Sequence, residues 1–139
     1  FGHMTIVPHG KRCYCGRYGC LDAYCTATAL TDFTEGNLKE FFDILKAGNN
    51  KGIQNVFEDY TDYLAIAVNN LRMCFDCDVI LGGNVGAYMS DYIDDFRKKA
   101  VKLNPFEKDG SYIRVCHYRT EAAAVGAAIY YIDQFIQNF

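Results

Sequence analysis

The stretch FDCDVILGGN, Phe75 to Asn84, decides the fold class, because the hydrophobic period changes inside it. Upstream, Val56, Tyr60, Tyr63, Leu64, Ala67, Val68 and Leu71 recur at helical spacing, so the segment from Ile53 to about Cys74 reads as an amphipathic helix. Asp78-Val79-Ile80-Leu81 is then a short β-rich run that stops at Gly82-Gly83-Asn84, the pattern of a buried strand entering a turn. Helical patterning resumes over 87–103. Pro105 to Gly110 reads as a loop, Tyr112 to Cys116 as a second strand, and Glu121 to Phe135 as a final helix. Strands alternating with helices predict an α/β domain, with a mixed sheet flanked by helices.

The N-terminal part fits the same frame. The Ala-rich run from Leu21 to Thr31 predicts a helix, and a second follows over 37–46 with Asn37 as N-cap and Glu40 completing a capping box. Residues 47–52 read as a loop. Met4 to Val7 resembles the end of a strand, Pro8-His9-Gly10 is a turn, and the cysteine-bearing segment beyond it is too Gly-rich for a helix. No internal repeat or low-complexity linker divides the 139 residues, which predicts one domain over 1–139. Opening in mid-strand, the chain reads as the C-terminal part of something longer.

Composition excludes several functions. Nucleic-acid binding needs clustered positive charge, whereas this chain has a formal net charge of -3, so it is not expected to touch DNA or RNA itself. No apolar run approaches the roughly 18 residues of a membrane span, and Gly2-His3 follows Phe1 without the charged start of a signal peptide. Seven cysteines is an odd number, which argues against a closed disulfide framework. Reduced thiols in a cytoplasmic protein, some of them metal ligands, are the expectation.

Five of the candidate ligands, His3, His9, Cys13, Cys15 and Cys20, fall in GHMTIVPHGKRCYCGRYGC, Gly2 to Cys20. Zinc takes thiolates and imidazoles in a tetrahedron. Cys13 and Cys15, at i and i+2, face the same way on an extended backbone. Gly16 and Gly19 permit the turn that returns Cys20, and the Pro8–Gly10 turn folds His3 in from the neighbouring arm, giving a zinc-binding segment over 3–20. Lys11, Arg12 and Arg17 would offset the negative charge of three thiolates. His9 competes with His3 for the fourth place, and Gly-His-Met is also a string that tag cleavage leaves behind. Of the other cysteines, Cys25 reads as a small buried hydrophobe and Cys116 as core. Cys74-x-x-Cys77 joins a helix to a strand instead of opening a helix, which argues against a redox pair.

The same residues resemble a known family. Gly2-His3, nine residues, then Cys13-Tyr14-Cys15-Gly16-Arg17-Tyr18-Gly19-Cys20-Leu21-Asp22 matches the pattern Gly-His followed by CxCGxxGCxE of the ROK proteins (repressor, open reading frame, kinase). Phe75 to Gly83 is similar to that family's helix-to-strand passage, with Cys77 where Pro is usual. Glu121 to Ala128 is similar to its final Gly-Ala-Ala helix. The resemblance implies the C-terminal lobe of an actin-like, ribonuclease H-like sugar-kinase fold, without the N-terminal lobe or any helix-turn-helix. The catalytic base and the phosphate loop belong to that other lobe, so no catalytic residue is expected in this chain. The sugar-binding Glu of the family's Glu-x-Gly-His would fall just before Phe1.

For individual residues, the resemblance implies structural Zn²⁺ on His3, Cys13, Cys15 and Cys20, with the other His3 nitrogen facing a sugar. Asp22 stands at the family's second sugar-binding Glu and is one methylene shorter. Gly82 and Gly83 match the turn that approaches the nucleotide, and Asn84 occupies the place of a third Gly in many kinases. A Gly-Gly at a strand end also serves as a plain tight turn. Gly126 is expected to permit close helix packing, and Tyr130, Tyr131 and Phe135 to lie in a core or an interface.

Two functions follow from the resemblance. The first is the sugar-sensing and dimerising part of a transcriptional regulator, a homodimer that binds a sugar or amino sugar and reaches DNA only through an absent N-terminal domain. Asp22 for Glu and Asn84 for Gly favour it by weakening the case for phosphoryl transfer. The alternative is the C-terminal lobe of an ATP- and Mg²⁺-dependent hexose or N-acetylhexosamine kinase.

Overall fold

The computed structural model describes residues 1–118 and 121–138. In chain order the helices are α1 (Ala27–Thr31), α2 (Leu38–Ala47), α3 (Lys51–Phe75), α4 (Gly83–Gly86), α5 (Ile93–Lys102) and α6 (Ala122–Gln137). Strand β1 (Val79–Leu81) lies between α3 and α4, and β2 (Ile113–Val115) between α5 and α6. The two strands pair in parallel, with Val79 beside Ile113, Ile80 beside Arg114 and Leu81 beside Val115. A parallel pair needs a long crossover, which α4 and α5 supply. The domain is α/β in kind and rich in helix, and both strands of its sheet run the same way where a mixed sheet was expected.

Helix α3 organises the rest. Asn50 starts it by accepting a hydrogen bond from Ile53 N–H at 3.1 Å, two residues earlier than the apolar period alone indicates. Its end is Asp76 in the left-handed conformation, φ 48°, with its N–H on the Arg72 carbonyl at 2.8 Å. Ile53, Phe57, Tyr60, Thr61, Ala65, Ala67 and Val68 are buried along it. Against that face pack Leu30 of α1, Phe41 and Phe42 of α2, Leu81 of β1, Phe96 and Ala100 of α5, and Ile113 of β2. Arg72 fastens the far end: its guanidinium meets Glu107 at 2.6 Å and lies 4.9 Å from the centre of the Tyr112 ring.

Several boundaries depart from the sequence reading. Residues 4–7 form no strand: Thr5 alone pairs, with Cys20 across an isolated bridge. The run from Leu21 to Thr31 splits into a 3₁₀ turn, Leu21–Ala23, and the short α1, because Thr26 turns extended and caps Ala29 N–H with its hydroxyl at 3.3 Å. Asn37 caps α2 as expected, accepting from Glu40 N–H at 3.1 Å. The helix expected over 87–103 begins only at Ile93, after α4 and a 3₁₀ turn at Met89–Asp91. Cys116 is only half-buried. Helix α6 has no buried residue, and nothing lies within 4 Å of where a Gly126 Cβ would be, so the expected close packing at that glycine is not found. Tyr130 and Tyr131 are 61% and 72% exposed, outside any core among the described residues. Among those residues no helix is long and apolar enough to cross a membrane.

The N-terminal segment is seated on α3 by aromatic and backbone contacts. Tyr60 donates to the Cys25 carbonyl at 3.4 Å, the Cys25 thiol returns to the Tyr60 carbonyl at 3.7 Å, and the Tyr24 and Tyr63 rings lie 4.3 Å apart. Everything from Leu21 backward is therefore positioned by the middle of α3. Phe96 is fully buried against that helix, and its replacement by Ala is expected to lower unfolding free energy by about 3–5 kcal/mol in urea titrations. Phe106, 81% exposed, should tolerate the same change within about 0.5 kcal/mol.

Candidate functional site

Two short arms and a tight turn build the site. The first arm, Gly2 to Val7, runs beside residues 19–22: Leu21 N–H donates to the Met4 carbonyl at 2.9 Å, Asp22 N–H to Gly2 at 2.9 Å, and Ile6 N–H to Gly19 at 2.8 Å. Pro8 and His9 turn the chain, with Gly10 N–H on the Val7 carbonyl at 3.0 Å and His9 at φ 60°. The second arm pairs Arg12 with Tyr18. Its end is a turn in which Gly16 N–H donates to the Cys13 carbonyl at 2.9 Å, where an extended Cys13-Tyr14-Cys15 was expected. Gly19 joins the arms. Its φ is 77°, and a Cβ there would stand 1.7 Å from the Val7 carbonyl oxygen, so glycine alone allows the approach.

The arms bring His3, Cys13, Cys15 and Cys20 together, their ligand atoms all within 4.8 Å of one another. The Cys13 thiol is 3.6 Å from His3 Nδ1, and the Cys15 and Cys20 thiols are 3.7 Å apart. A tetrahedral zinc, with bonds of about 2.3 Å to sulfur and about 2.0–2.1 Å to nitrogen, spaces its donors about 3.5 Å (N to S) and about 3.8 Å (S to S) apart. These two opposite edges fit that size, and the donor set, three sulfurs and one imidazole, suits zinc. All three cysteines are free thiols, and Cys13 and Cys20 are buried. His9 stands outside the group.

Electrostatics separate the thiols. The backbone of Arg17, and then its guanidinium, hydrogen-bonds Cys15 and pulls its pKa down to about 6. Burial pushes Cys20 up to about 11. A metal ion must therefore displace a proton that the protein alone holds on Cys20. Of the three expected cations, Arg17 meets the cluster through Cys15, while Lys11 lies 5.3 Å from the centre of the Tyr24 ring. Cys25 is apart from the site, its thiol raised by burial to about 12. Cys74 and Cys77 are exposed free thiols.

On the solvent side, His3 Nε2 is 3.1 Å from the Tyr14 hydroxyl, which donates to Asp22 Oδ2 at 3.1 Å. That hydrogen bond, together with some burial, raises the Tyr14 pKa. Asp22 Oδ2 is also 3.9 Å from His3 Nδ1. The Asp22 carboxylate lies where a Gly2 Cβ would be, with Oδ1 at 2.3 Å from that point, so Gly2 makes room for the acid. Tyr14, Asp22, Cys13 and Thr26 border a cavity of about 330 Å³. Gly82, Gly83 and Asn84 are exposed at the end of β1, and Gly83, not Asn84, takes the left-handed conformation there (φ 70°). Gly82 shares a second cavity with Leu21 and Cys25. Tyr14 was not singled out in the sequence. Its signal is its place at a central position of the turn between Cys13 and Cys15.

The ROK family model matches residues 1–134. The chain is 28% identical over 140 residues to an N-acetylmannosamine kinase of Escherichia coli O1:K1 and to one of Escherichia fergusonii, covering 92% of this chain and 45% of each relative. An N-acetylmannosamine kinase of Escherichia coli O157:H7 matches at the same identity over 141 residues. The chain thus spans about half the length of the curated relatives it matches.

Cobalt(II) added to the reduced protein should give the thiolate charge-transfer and d–d absorption of a tetrahedral centre, saturating at one equivalent. Gly19→Ala should abolish that spectrum, because the arms can no longer close.

Proposed function

The chain belongs to the ROK family, and on that premise we propose that it forms the C-terminal lobe of an ATP-dependent kinase for an N-acetylhexosamine. The observation that carries this reading is the match of 92% of the chain to N-acetylmannosamine kinases. It favours phosphoryl transfer over the transcriptional regulator that Asp22 and Asn84 suggest. Transfer to a sugar hydroxyl needs a base, Mg²⁺ and a positioned acceptor. On this reading the base and the phosphate loop come from the other half of the protein, and this lobe positions the sugar.

Zn²⁺ would be held by His3, Cys13, Cys15 and Cys20, a filled shell with no place for a reactive water, so its contribution is rigidity. With Nδ1 directed at the thiols, a neutral His3 carries its proton on Nε2 and becomes a fixed hydrogen-bond donor to the sugar. Asp22 is the paired acceptor. Its shorter side chain is set against the Gly2 backbone, which supports a role for it in spite of the missing methylene. Gly82, Gly83 and Asn84 would border the nucleotide, the open space around Gly83 leaving the backbone approachable.

The full-length protein, given Mg-ATP and a panel of N-acetylmannosamine, N-acetylglucosamine and glucose, is expected to phosphorylate an N-acetylhexosamine. Asp22→Ala should lower kcat/KM by about 10- to 100-fold, the worth of one hydrogen bond to a charged group. Sugar binding without any phosphoryl transfer would instead favour the regulator.

A further inference from the structure

The Tyr14 hydroxyl occupies an unusual position. Among the described residues it is the group that joins His3 Nε2 to Asp22 Oδ2, at 3.1 Å on each side. The two bonds have opposite sense. Tyr14 donates its hydrogen bond to the carboxylate, so with the His3 proton on Nε2 its oxygen accepts from the imidazole. A sugar hydroxyl placed between the same residues would do the same, accepting from the imidazole and donating to the acid. One hydroxyl can fill that place at a time.

Tyr14 is also built to leave. Its side chain is 81% exposed, and its ring touches the His3 ring edge-on with centroids 5.0 Å apart. The main chain beneath it is fixed by the Gly16 N–H to Cys13 carbonyl bond, so rotation about the side-chain torsions is enough to withdraw the hydroxyl. The cavity of about 330 Å³ beside it, bordered by Thr26 and Asp32, offers room next to the vacated position.

We propose that Tyr14 is an internal stand-in for the sugar: its hydroxyl caps His3 and Asp22 in the ligand-free protein and is displaced by a ligand hydroxyl that both accepts and donates. This rests on the reading of His3 and Asp22 as sugar contacts, and it adds a selection rule. A ligand that presents an ether or a methoxy oxygen at this position can accept from His3 and has no proton for Asp22, so it competes poorly with Tyr14. The cap lowers apparent affinity by the fraction of molecules in which it is open.

The test uses the full-length zinc-loaded protein, with N-acetylmannosamine as probe in calorimetric titrations. Tyr14→Phe keeps the ring and removes both hydrogen bonds, and it is expected to bind N-acetylmannosamine about 3- to 10-fold more tightly than the parent. Nuclear Overhauser contacts between the Tyr14 and His3 rings should be present without sugar and vanish at saturation. Unchanged or weaker binding by Tyr14→Phe, or ring contacts that persist at saturation, would overturn the cap. Asp22→Ala separates the two levels of the argument. Loss of N-acetylmannosamine binding in Asp22→Ala without tightening in Tyr14→Phe leaves the sugar site standing and removes the cap. Unaltered binding in Asp22→Ala removes both. Zinc content, measured for each variant, identifies a variant that has merely failed to fold its site.

Discussion

Burial of one face of α3 sets the positions of α1, α2, α5 and the small sheet. Ile53, Phe57, Tyr60, Ala65 and Val68 form a continuous strip, and helices α1, α2 and α5 and the small sheet reach it from different directions. Each fully buried large side chain in that core contributes about 1.5–3 kcal/mol by leaving water. Tyr60 belongs to this strip and also ends on the Cys25 backbone, so the same packing that holds the core fixes the root of the cysteine segment. The site is anchored to α3 through Tyr60 and Cys25.

The cysteine segment solves a charge problem in stages. Arg17 favours an ionised Cys15, while burial keeps a proton on Cys20, so the metal-free cluster is electrostatically mixed. A divalent ion would make all three sulfurs equivalent in role and tie the two arms that Gly19 lets approach. That in turn would hold the imidazole of His3 at one tautomer, with Nε2 at the Tyr14 hydroxyl, which itself donates to Asp22. On the proposed reading, structural metal and ligand recognition would be carried by opposite nitrogens of a single side chain.

Much of this was legible in the sequence where it depended on local rules. The spacing of His3, Cys13, Cys15 and Cys20 predicted a convergent group, and the same spacing carried the family resemblance. Asn37 and the helical period of α3 marked helices correctly, because caps and amphipathic faces are written within a few residues. Other features need three-dimensional context. The break at Thr26 depends on a hydroxyl choosing the backbone over the helix, and the late start of α5 on how Val85 and Met89 enter the core. The exposed faces of α6 remove the core from the two readings of its apolar composition, a core or an interface. No local pattern marks Tyr14, because its contacts unite three segments that meet only when the arms close.

X-ray absorption at the zinc edge, recorded on the full-length protein with and without N-acetylmannosamine, tests the account most directly. It predicts three sulfurs at about 2.3 Å and one nitrogen at about 2.0–2.1 Å in both states, since the sugar meets the imidazole and never the metal. An oxygen ligand that appears with the sugar, or a shell lacking the nitrogen, would contradict a closed scaffold that aims His3 at its ligand.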